Sequence, residues 1–285
     1  MSNEKYTGFR TFDVPDNLVE DIHCDGKILP WDKRHTLYPN MYVELRGTLD
    51  TKKTAIARVS FDAQYIEKIS PQPVYGLAPR NREQAFALDA LMDDTIPVVV
   101  LTGIAGSGKT ILTLAVALEK IQTNEYKRVI ITRPMSHVGK YPLGALPGDV
   151  EEKFGPYLLN YTTNLEQFVG KKRVDDLLDQ CRFEMVPIQL MRGASFNQCL
   201  VIADEVQVCD YSEILAIGTR IGEGSKIVLM GDLSQRDEKI SREKTGLFKL
   251  TNDFKAKSSP LVAAIELQKC ERSDTASFFA DLFEE

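Results

Sequence analysis

The octapeptide at residues 103–110, GIAGSGKT, combines residue types and a spacing that bind phosphate. It fits the pattern G-x-x-x-x-G-K-[ST], with Gly103, Gly108, Lys109 and Thr110 at the fixed positions. The glycines let backbone N–H groups curl around a phosphate, the lysine reaches the β- and γ-phosphates, and the threonine hydroxyl takes a place on Mg²⁺. An ordinary glycine-rich turn is the alternative, but the apolar run before the octapeptide and the helical stretch after it favour a nucleoside triphosphate site. The residues expected to contact ATP here are Gly103, Ile104, Ala105, Gly106, Ser107, Gly108, Lys109, Thr110 and Ile111.

Two adjacent carboxylates, Asp204 and Glu205, follow the apolar run at 199–203. A phosphate-binding loop needs such a partner, because a carboxylate at a neighbouring strand end can hold Mg²⁺ through its water shell. We expect Asp204 to do this and Glu205 to polarise the water that attacks the γ-phosphate. The alternative is a strand that ends in two solvated acids.

Four other polar side chains lie where they could complete the site. Gln235, after the run KIVLMGD, can sense the γ-phosphate through its amide, although a simple turn is the alternative. Arg272 can act as an arginine finger, or it is a solvated arginine at a helix start. Upstream, Gln84 could read adenine with its amide and Asn81 could cap a helix, whereas the alternative is an ordinary surface helix start.

These residues are positioned by a pattern of alternating strands and helices that begins near residue 80. Short apolar runs are typical of strands buried in a parallel sheet, so the sequence predicts an α/β fold with a doubly wound parallel sheet. Helices are predicted at 82–92, 111–121 and 275–283, and strands at 98–102, 128–132, 183–187, 199–203, 226–230 and 262–267.

The first 70 residues differ in character from the rest. Residues 41–69 are rich in β-formers around the polar turn LDTKK, which predicts a small antiparallel meander, and 17–22 could form a short helix. Pro71, Pro73 and Pro79 mark a linker. We therefore expect a small β-rich domain at 1–70 and a nucleotide-binding domain at 71–285.

Composition excludes several classes of function. The net charge of −6 argues against a broad surface that coats duplex DNA, but it leaves room for a basic channel around a single strand. The five cysteines form no C-x-x-C pair and the three histidines are dispersed, so we expect reduced thiols and neither a zinc site nor a histidine-based triad. Because the sequence shows no signal peptide and no long apolar run, we expect a cytoplasmic protein without membrane contact.

Several segments, in their order and spacing, resemble the PhoH family of P-loop ATPases over about residues 70–284, and over 15–70 as well. The narrowest match is ITRP at 131–134 followed by VGKYPLGALPGDVEEKFGPY at 138–157. The acidic motif departs slightly, since it reads DEVQ where DEAQ is usual, and RDEK after Gln235 replaces a more apolar turn. The other matching segments are GLAPRNREQ at 76–84, GIAGSGKT, MRGASFNQCLVIADEVQ at 191–207, TRIGEGSKIVLMGDLSQ at 219–235 and ELQKCERSD at 266–274.

The resemblance implies a RecA-like core, also similar to the first motor domain of superfamily-one helicases. In that comparison Gln84 matches the adenine-reading glutamine, Gln235 the γ-phosphate sensor and Arg272 the arginine that contacts the γ-phosphate. Because the chain has one such core, the resemblance implies a ring, expected to be a hexamer, in which Arg133, Arg220 or Arg272 could act across the subunit boundary. Nothing in the first 70 residues resembles the PIN nuclease domain of some relatives, so we expect a compact, bacteriophage-type member in the host cytoplasm.

The loop at 134–148 contains three prolines and three glycines, and loops of that length are usually functional. Lys140 and Tyr141 would offer a charge and a stacking face to a single strand inside the ring, whereas a structural lid or an oligomer contact is the alternative.

Three hypotheses for function follow. The first is a Mg²⁺-dependent ATPase that acts on single-stranded nucleic acid, RNA more than DNA. The second is a P-loop small-molecule kinase, which gives no reason for Glu205 directly after Asp204. The third is a nucleotide-gated binding or assembly protein that hydrolyses slowly and has no motor output.

Overall fold

The computed structural model describes residues 6–32, 35–134, 150–188, 191, 193–235 and 241–271. The predicted helix at 275–283 therefore lies outside the described residues. In chain order the elements are β1 (Phe9–Val14), α1 (Asp16–Asp25), β2 (Lys27–Ile28), β3 (Tyr42–Gly47), β4 (Thr54–Val59), β5 (Ile66–Lys68), α2 (Arg82–Met92), β6 (Val98–Gly103), α3 (Lys109–Gln122), β7 (Arg128–Thr132), α4 (Val150–Val169), α5 (Lys171–Asp179), β8 (Phe183–Met185), β9 (Cys199–Ala203), α6 (Tyr211–Gly218), β10 (Lys226–Gly231), α7 (Gly246–Asn252), α8 (Phe254–Lys257) and β11 (Val262–Leu267).

The larger sheet has six strands in the order β11-β6-β10-β9-β7-β8, and every neighbouring pair is parallel. Alternate residues of β9 enter different buried clusters: Leu200 and Ile202 pack with α2 and α3, whereas Val201 packs on the other face with Ile217 of α6. Helices thus cover both faces, which is why these strands are continuously apolar. The predicted doubly wound parallel sheet is confirmed, with β8 two residues shorter than predicted.

The strand order brings the predicted chemistry to one edge. β10 lies between β6 and β9, so the loop after β6 and the two acids after β9 emerge on either side of β10. In open parallel sheets, ligands bind at the carboxyl ends of the strands. The sheet therefore gathers segments that are about a hundred residues apart in sequence.

The smaller sheet has five strands in the order β1-β3-β4-β5-β2. The antiparallel run β3-β4-β5 confirms the predicted meander. The sequence did not predict β1, which pairs in parallel with β3, or the two-residue β2 at the other edge. The predicted helix at 17–22 is longer, Asp16–Asp25, and it ends where Gly26 takes a left-handed conformation (φ 74°).

The two sheets meet along α2. The ring of Tyr42 from β3 stacks on Phe86 with centroids 4.8 Å apart, and its hydroxyl donates to Asp89 Oδ2 at 2.9 Å. Arg58 from β4 bonds to Asp89 at 3.0 Å and to Asp93 at 2.6 Å. Because Tyr42 belongs to the same buried cluster as α2, the proposed boundary near residue 70 divides two sheets that share a core.

None of the helices in the described part of the chain has both the length and the apolar character needed to cross a membrane.

Lys226, at the start of β10, connects the larger sheet to the end of α2 through hydrogen bonds. Its side chain is 1% exposed, and its Nζ donates to the carbonyls of Ala90 at 2.7 Å and Asp93 at 2.8 Å. Burial lowers the pKa of Lys226 to about 7, although the carboxylates of Asp94 and Asp93 oppose the shift. The ammonium form is therefore disfavoured in the folded protein relative to the unfolded chain.

This shift predicts how stability changes with pH. Between about pH 7 and pH 10 the unfolded chain binds more protons at Lys226 than the folded one, so the free energy of unfolding should rise with pH by up to about 1.4 kcal/mol per unit. Lys226→Met should lose this contribution to the slope, even though it also leaves two carbonyls without a donor. Urea unfolding of both proteins from pH 7.5 to 9.5 measures the difference, and parallel slopes would contradict the prediction.

Candidate functional site

A cleft of about 680 Å³ opens at the carboxyl edge of the larger sheet. It is lined by the phosphate loop and the start of α3, by α2 and the segment before it, by α4, and by the residues that follow β9 and β11. The lining residues are Leu77, Arg80, Gln84, Ala105, Gly106, Gly108, Lys109, Thr110, Ile111, Leu112, Asn160, Asn164, Gln167, Phe168, Asp204, Glu205 and Glu271.

The loop between β6 and α3 has a shape that its glycines permit. Gly103 has φ 148°, and a Cβ there would lie 2.2 Å from the carbonyl oxygen of Leu267; Gly108 has φ 98°, and its Cβ would lie 2.9 Å from Gln84 Nε2. A side chain at either position would meet a neighbour that is already in contact. The loop then runs directly into the N-terminus of α3, where the first N–H groups and the helix dipole favour an anion.

Lys109 lies over this loop. Its Nζ donates to the carbonyls of Gly103 at 2.6 Å and Ile104 at 2.9 Å, while Thr110 and Ile111 line the cleft beside it. The ammonium is therefore held at the loop, where the phosphates of a bound nucleotide would meet it.

Gln84 supports the loop from α2. Its side chain is 4% exposed; Oε1 accepts from the N–H of Arg80 at 2.9 Å, and Nε2 donates to the carbonyl of Ser107 at 3.1 Å. Asn81 caps α2 as predicted, because its side chain accepts from the N–H of Gln84 at 2.9 Å. Both ends of the Gln84 amide thus bond to protein, so adenine reading by this residue stays a prediction.

Glu271 joins the loop to the segment after β11. Its N–H donates to the carbonyl of Gly106 at 3.1 Å, and its carboxylate accepts from Asn81 Nδ2 at 2.6 Å. Glu271, the residue before Arg272, is thereby held beside the phosphate loop, a role that no sequence pattern predicted.

Asp204 is 6% exposed at the end of β9. Its Oδ2 accepts from the hydroxyl of Tyr161 at 2.7 Å, and its Oδ1 accepts from the N–H of Glu205 at 2.9 Å. Burial raises the pKa of Asp204, and the charge of Glu205 adds to this, whereas the Tyr161 bond and the charge of Arg133 oppose it. A bound cation would oppose this shift, because its charge favours the ionised carboxylate.

Glu205 adopts a left-handed backbone conformation (φ 57°, ψ 30°), which is uncommon for a residue other than glycine. Its carboxylate accepts from Gln207 Nε2 at 2.7 Å, and Gln207 Oε1 accepts from the N–H of Asp232 at 3.3 Å. Gln207 therefore connects the carboxylate of Glu205 to the end of β10.

The chemistry of these side chains fits Mg²⁺ bound with a nucleotide. Thr110 and Asp204 line one cleft, and among the described residues no cluster of three or more His, Cys, Asp or Glu side chains could hold a metal by itself. Mg²⁺ keeps several waters and is bound by one or two protein groups plus phosphates, so a hydroxyl and one carboxylate are an adequate protein contribution.

A family model described as PhoH-like protein matches residues 76–284. The chain belongs to the PhoH family. The match includes the phosphate loop, the paired acids and the segments after β10 and β11, and it confirms the resemblance found in the sequence.

Two relatives are similar over nearly the whole chain. Protein PhoH2 of Bacillus subtilis is 34% identical over 99% of this chain and 65% of the relative. Protein PhoH2 of Mycolicibacterium smegmatis is 32% identical over 98% of this chain and 63% of the relative. The chain thus spans less than two-thirds of the length of these relatives.

Among solved structures, one similar fold is the Sulfolobus solfataricus SWI2/SNF2 ATPase core in complex with dsDNA. The alignment covers 68% of this chain and 40% of the chain in that structure, with 14% identity and a TM-score of 0.41. The alignment with the Pif1 helicase of Candida albicans covers 73% of this chain and 44% of the helicase chain, with 17% identity and a TM-score of 0.38. At these scores the likeness says nothing about function.

Several predicted site residues lie apart from this PhoH-family cleft. Gln235 is exposed on the turn after β10, and Arg220 lies beyond the end of α6; neither lines the cleft. Arg133 follows β7 close enough to Asp204 of its own chain to act on that carboxylate, so its proposed role across a subunit boundary stays a prediction. Arg272, Lys140 and Tyr141 lie outside the described residues.

The contribution of α4 to the cleft was not among the features predicted from the sequence. Asn160, Asn164 and Gln167 line the cleft, and their spacing puts them on one helical face, while Tyr161 and Leu165 are buried in the core. The alternation of amide and apolar positions was the available signal, but it does not by itself show that the polar face meets a nucleotide.

Proposed function

We propose that this chain hydrolyses ATP with Mg²⁺ and couples hydrolysis to action on single-stranded nucleic acid, RNA rather than DNA. The observation that carries the hydrolytic part is the convergence of Lys109, Thr110, Asp204 and Glu205 on one cleft. They come from the ends of β6 and β9, so the fold itself creates the arrangement.

Each of these residues has a role that its position supports. The loop N–H groups and Lys109 would bind the phosphates, and Thr110 and Asp204 would hold the metal. When bound, Mg²⁺ supplies neutralising charge to the β- and γ-phosphates. Glu205 would accept a hydrogen bond from the attacking water and orient it, with its carboxylate already fixed by Gln207.

The remaining roles follow from the resemblance to helicase motors. That resemblance assigns Gln235 to the γ-phosphate, although Gln235 does not line the cleft in this structure. Arg272 or an arginine of a neighbouring subunit would complete the charge around the phosphate. Bacteriophage origin and cytoplasmic location stay predictions.

Glu205→Gln tests hydrolysis directly. The amide keeps the size of the side chain but is a poor acceptor for a water proton, so kcat should fall by about 100-fold or more while ATP affinity is retained. Steady-state turnover and binding of a fluorescent ATP analogue measure both. Glu223→Gln, at an exposed position outside the cleft, is the matched control. Normal turnover in Glu205→Gln would overturn the assignment.

Stimulation by RNA tests the nucleic-acid part. Single-stranded RNA should raise the ATPase rate. Lys140→Ala combined with Tyr141→Ala should remove that stimulation without changing the ATPase rate measured in the absence of RNA. Lys27→Ala with Tyr65→Ala is a matched control, because Lys27 lies 4.7 Å from the centre of the Tyr65 ring on the smaller sheet. Full stimulation by RNA in the variant changed at Lys140 and Tyr141 would exclude a role of these residues in contacting the single strand.

Two alternatives make different predictions in the same assays. A nucleotide-gated binding or assembly protein would hydrolyse slowly and ignore RNA. A P-loop kinase would transfer phosphate to a small acceptor, but a water-orienting acid such as Glu205 would then compete with that acceptor, which disfavours this reading.

We also propose a hexameric ring, as the resemblance described above implies, in which a neighbouring subunit would face the nucleotide. Light scattering with and without ATP should give six times the mass of one chain in at least one condition. The mass of one chain in both conditions would contradict the ring.

A further inference from the structure

Tyr161 makes a contact that the proposed mechanism has not used. It lies on α4, its side chain is 1% exposed, and its hydroxyl donates to Asp204 Oδ2 at 2.7 Å. The other carboxylate oxygen, Oδ1, accepts from the N–H of Glu205 at 2.9 Å. The carboxylate is thus held from both sides, and each oxygen keeps acceptor capacity for a further bond.

The helix that carries Tyr161 is also a wall of the cleft. Tyr161 and Leu165 anchor α4 in the core, whereas Asn160 and Asn164, on the adjoining face, line the space for the nucleotide. The orientation of Asp204 is therefore fixed by the same helix that faces the ligand.

A second buried tyrosine shows what a purely structural contact looks like. Tyr126 is 4% exposed, and its hydroxyl donates to Asp94 Oδ1 at 2.7 Å. The Asp94 side chain is 46% exposed, and neither residue lines the cleft. Tyr161 differs because its partner, Asp204, is buried and lines the cleft.

We propose that Tyr161 is a positioning residue for the metal end of the nucleotide site: its hydroxyl holds the Asp204 carboxylate in the orientation that takes a Mg²⁺-bound water. The inference rests on the proposed function, since it assigns a role at the same site. Groups that hydrogen-bond to a metal-binding carboxylate fix its orientation, and their loss typically weakens metal binding by about tenfold or more.

Tyr161→Phe removes one oxygen atom and keeps the ring that fills the core. Binding of a fluorescent, non-hydrolysable ATP analogue is titrated with Mg²⁺, and is measured separately in EDTA. The Mg²⁺ concentration for half-maximal binding should rise about tenfold, with metal-free affinity and melting temperature close to wild type. Tyr126→Phe, the matched control, should leave the Mg²⁺ requirement unchanged.

The outcomes separate this inference from the proposed function. If wild-type protein binds the analogue without any Mg²⁺ dependence, the proposed function fails. If wild type depends on Mg²⁺ and Tyr161→Phe behaves identically, or needs less Mg²⁺, the positioning role is overturned. Should Tyr161→Phe not fold, Tyr161→Met replaces it, because a flexible apolar side chain adapts to the same space.

Discussion

The site depends on how closely the phosphate loop is packed between two neighbours. Gly103 stands against the backbone of Leu267 at the end of β11, and Gly108 stands against the amide of Gln84 on α2. Neither approach leaves room for a Cβ, so the glycines serve the packing of the loop as well as the access of phosphate. The shape of the loop is therefore set by the positions of β11 and α2.

α2 is in turn held from its other side. Tyr42 and Arg58 of the smaller sheet bond to Asp89 near the C-terminal end of α2. Lys226 Nζ donates to the carbonyls of Ala90 and Asp93 at the same end. An arginine shared by partly buried carboxylates is costly to remove, because the acids would remain without a partner. This chain of contacts connects the N-terminal sheet to the phosphate loop through one helix of eleven residues. It gives a structural reason for the N-terminal sheet to accompany the nucleotide-binding core.

The sequence was sufficient for those parts of the fold that follow from local pattern. All six strands of the parallel sheet were predicted because buried parallel strands are continuously apolar, and the loop and paired acids were found because their spacing is specific. The contacts of Gln84 and Tyr161 could not be predicted in this way. Each depends on which helix the fold places beside the loop or beside β9, and their partners Ser107 and Asp204 are 23 and 43 positions away in the chain. β1 was missed for a related reason, since its parallel partner β3 lies about thirty residues further on.

The strained backbone at Glu205 is held by hydrogen bonds to neighbouring segments. A non-glycine residue in the left-handed region costs about 1 kcal/mol or more, and it persists only when its surroundings fix it. Here the Glu205 N–H is bound by the Asp204 carboxylate and the Glu205 carboxylate by Gln207, which also bonds to the segment after β10. Since Tyr161 holds the second oxygen of Asp204, α4 takes part in fixing the turn that aims Glu205. The two acids therefore form one hydrogen-bonded unit. A change in the orientation of Asp204 would be transmitted to the backbone N–H of Glu205, and with it to the carboxylate that we propose orients water.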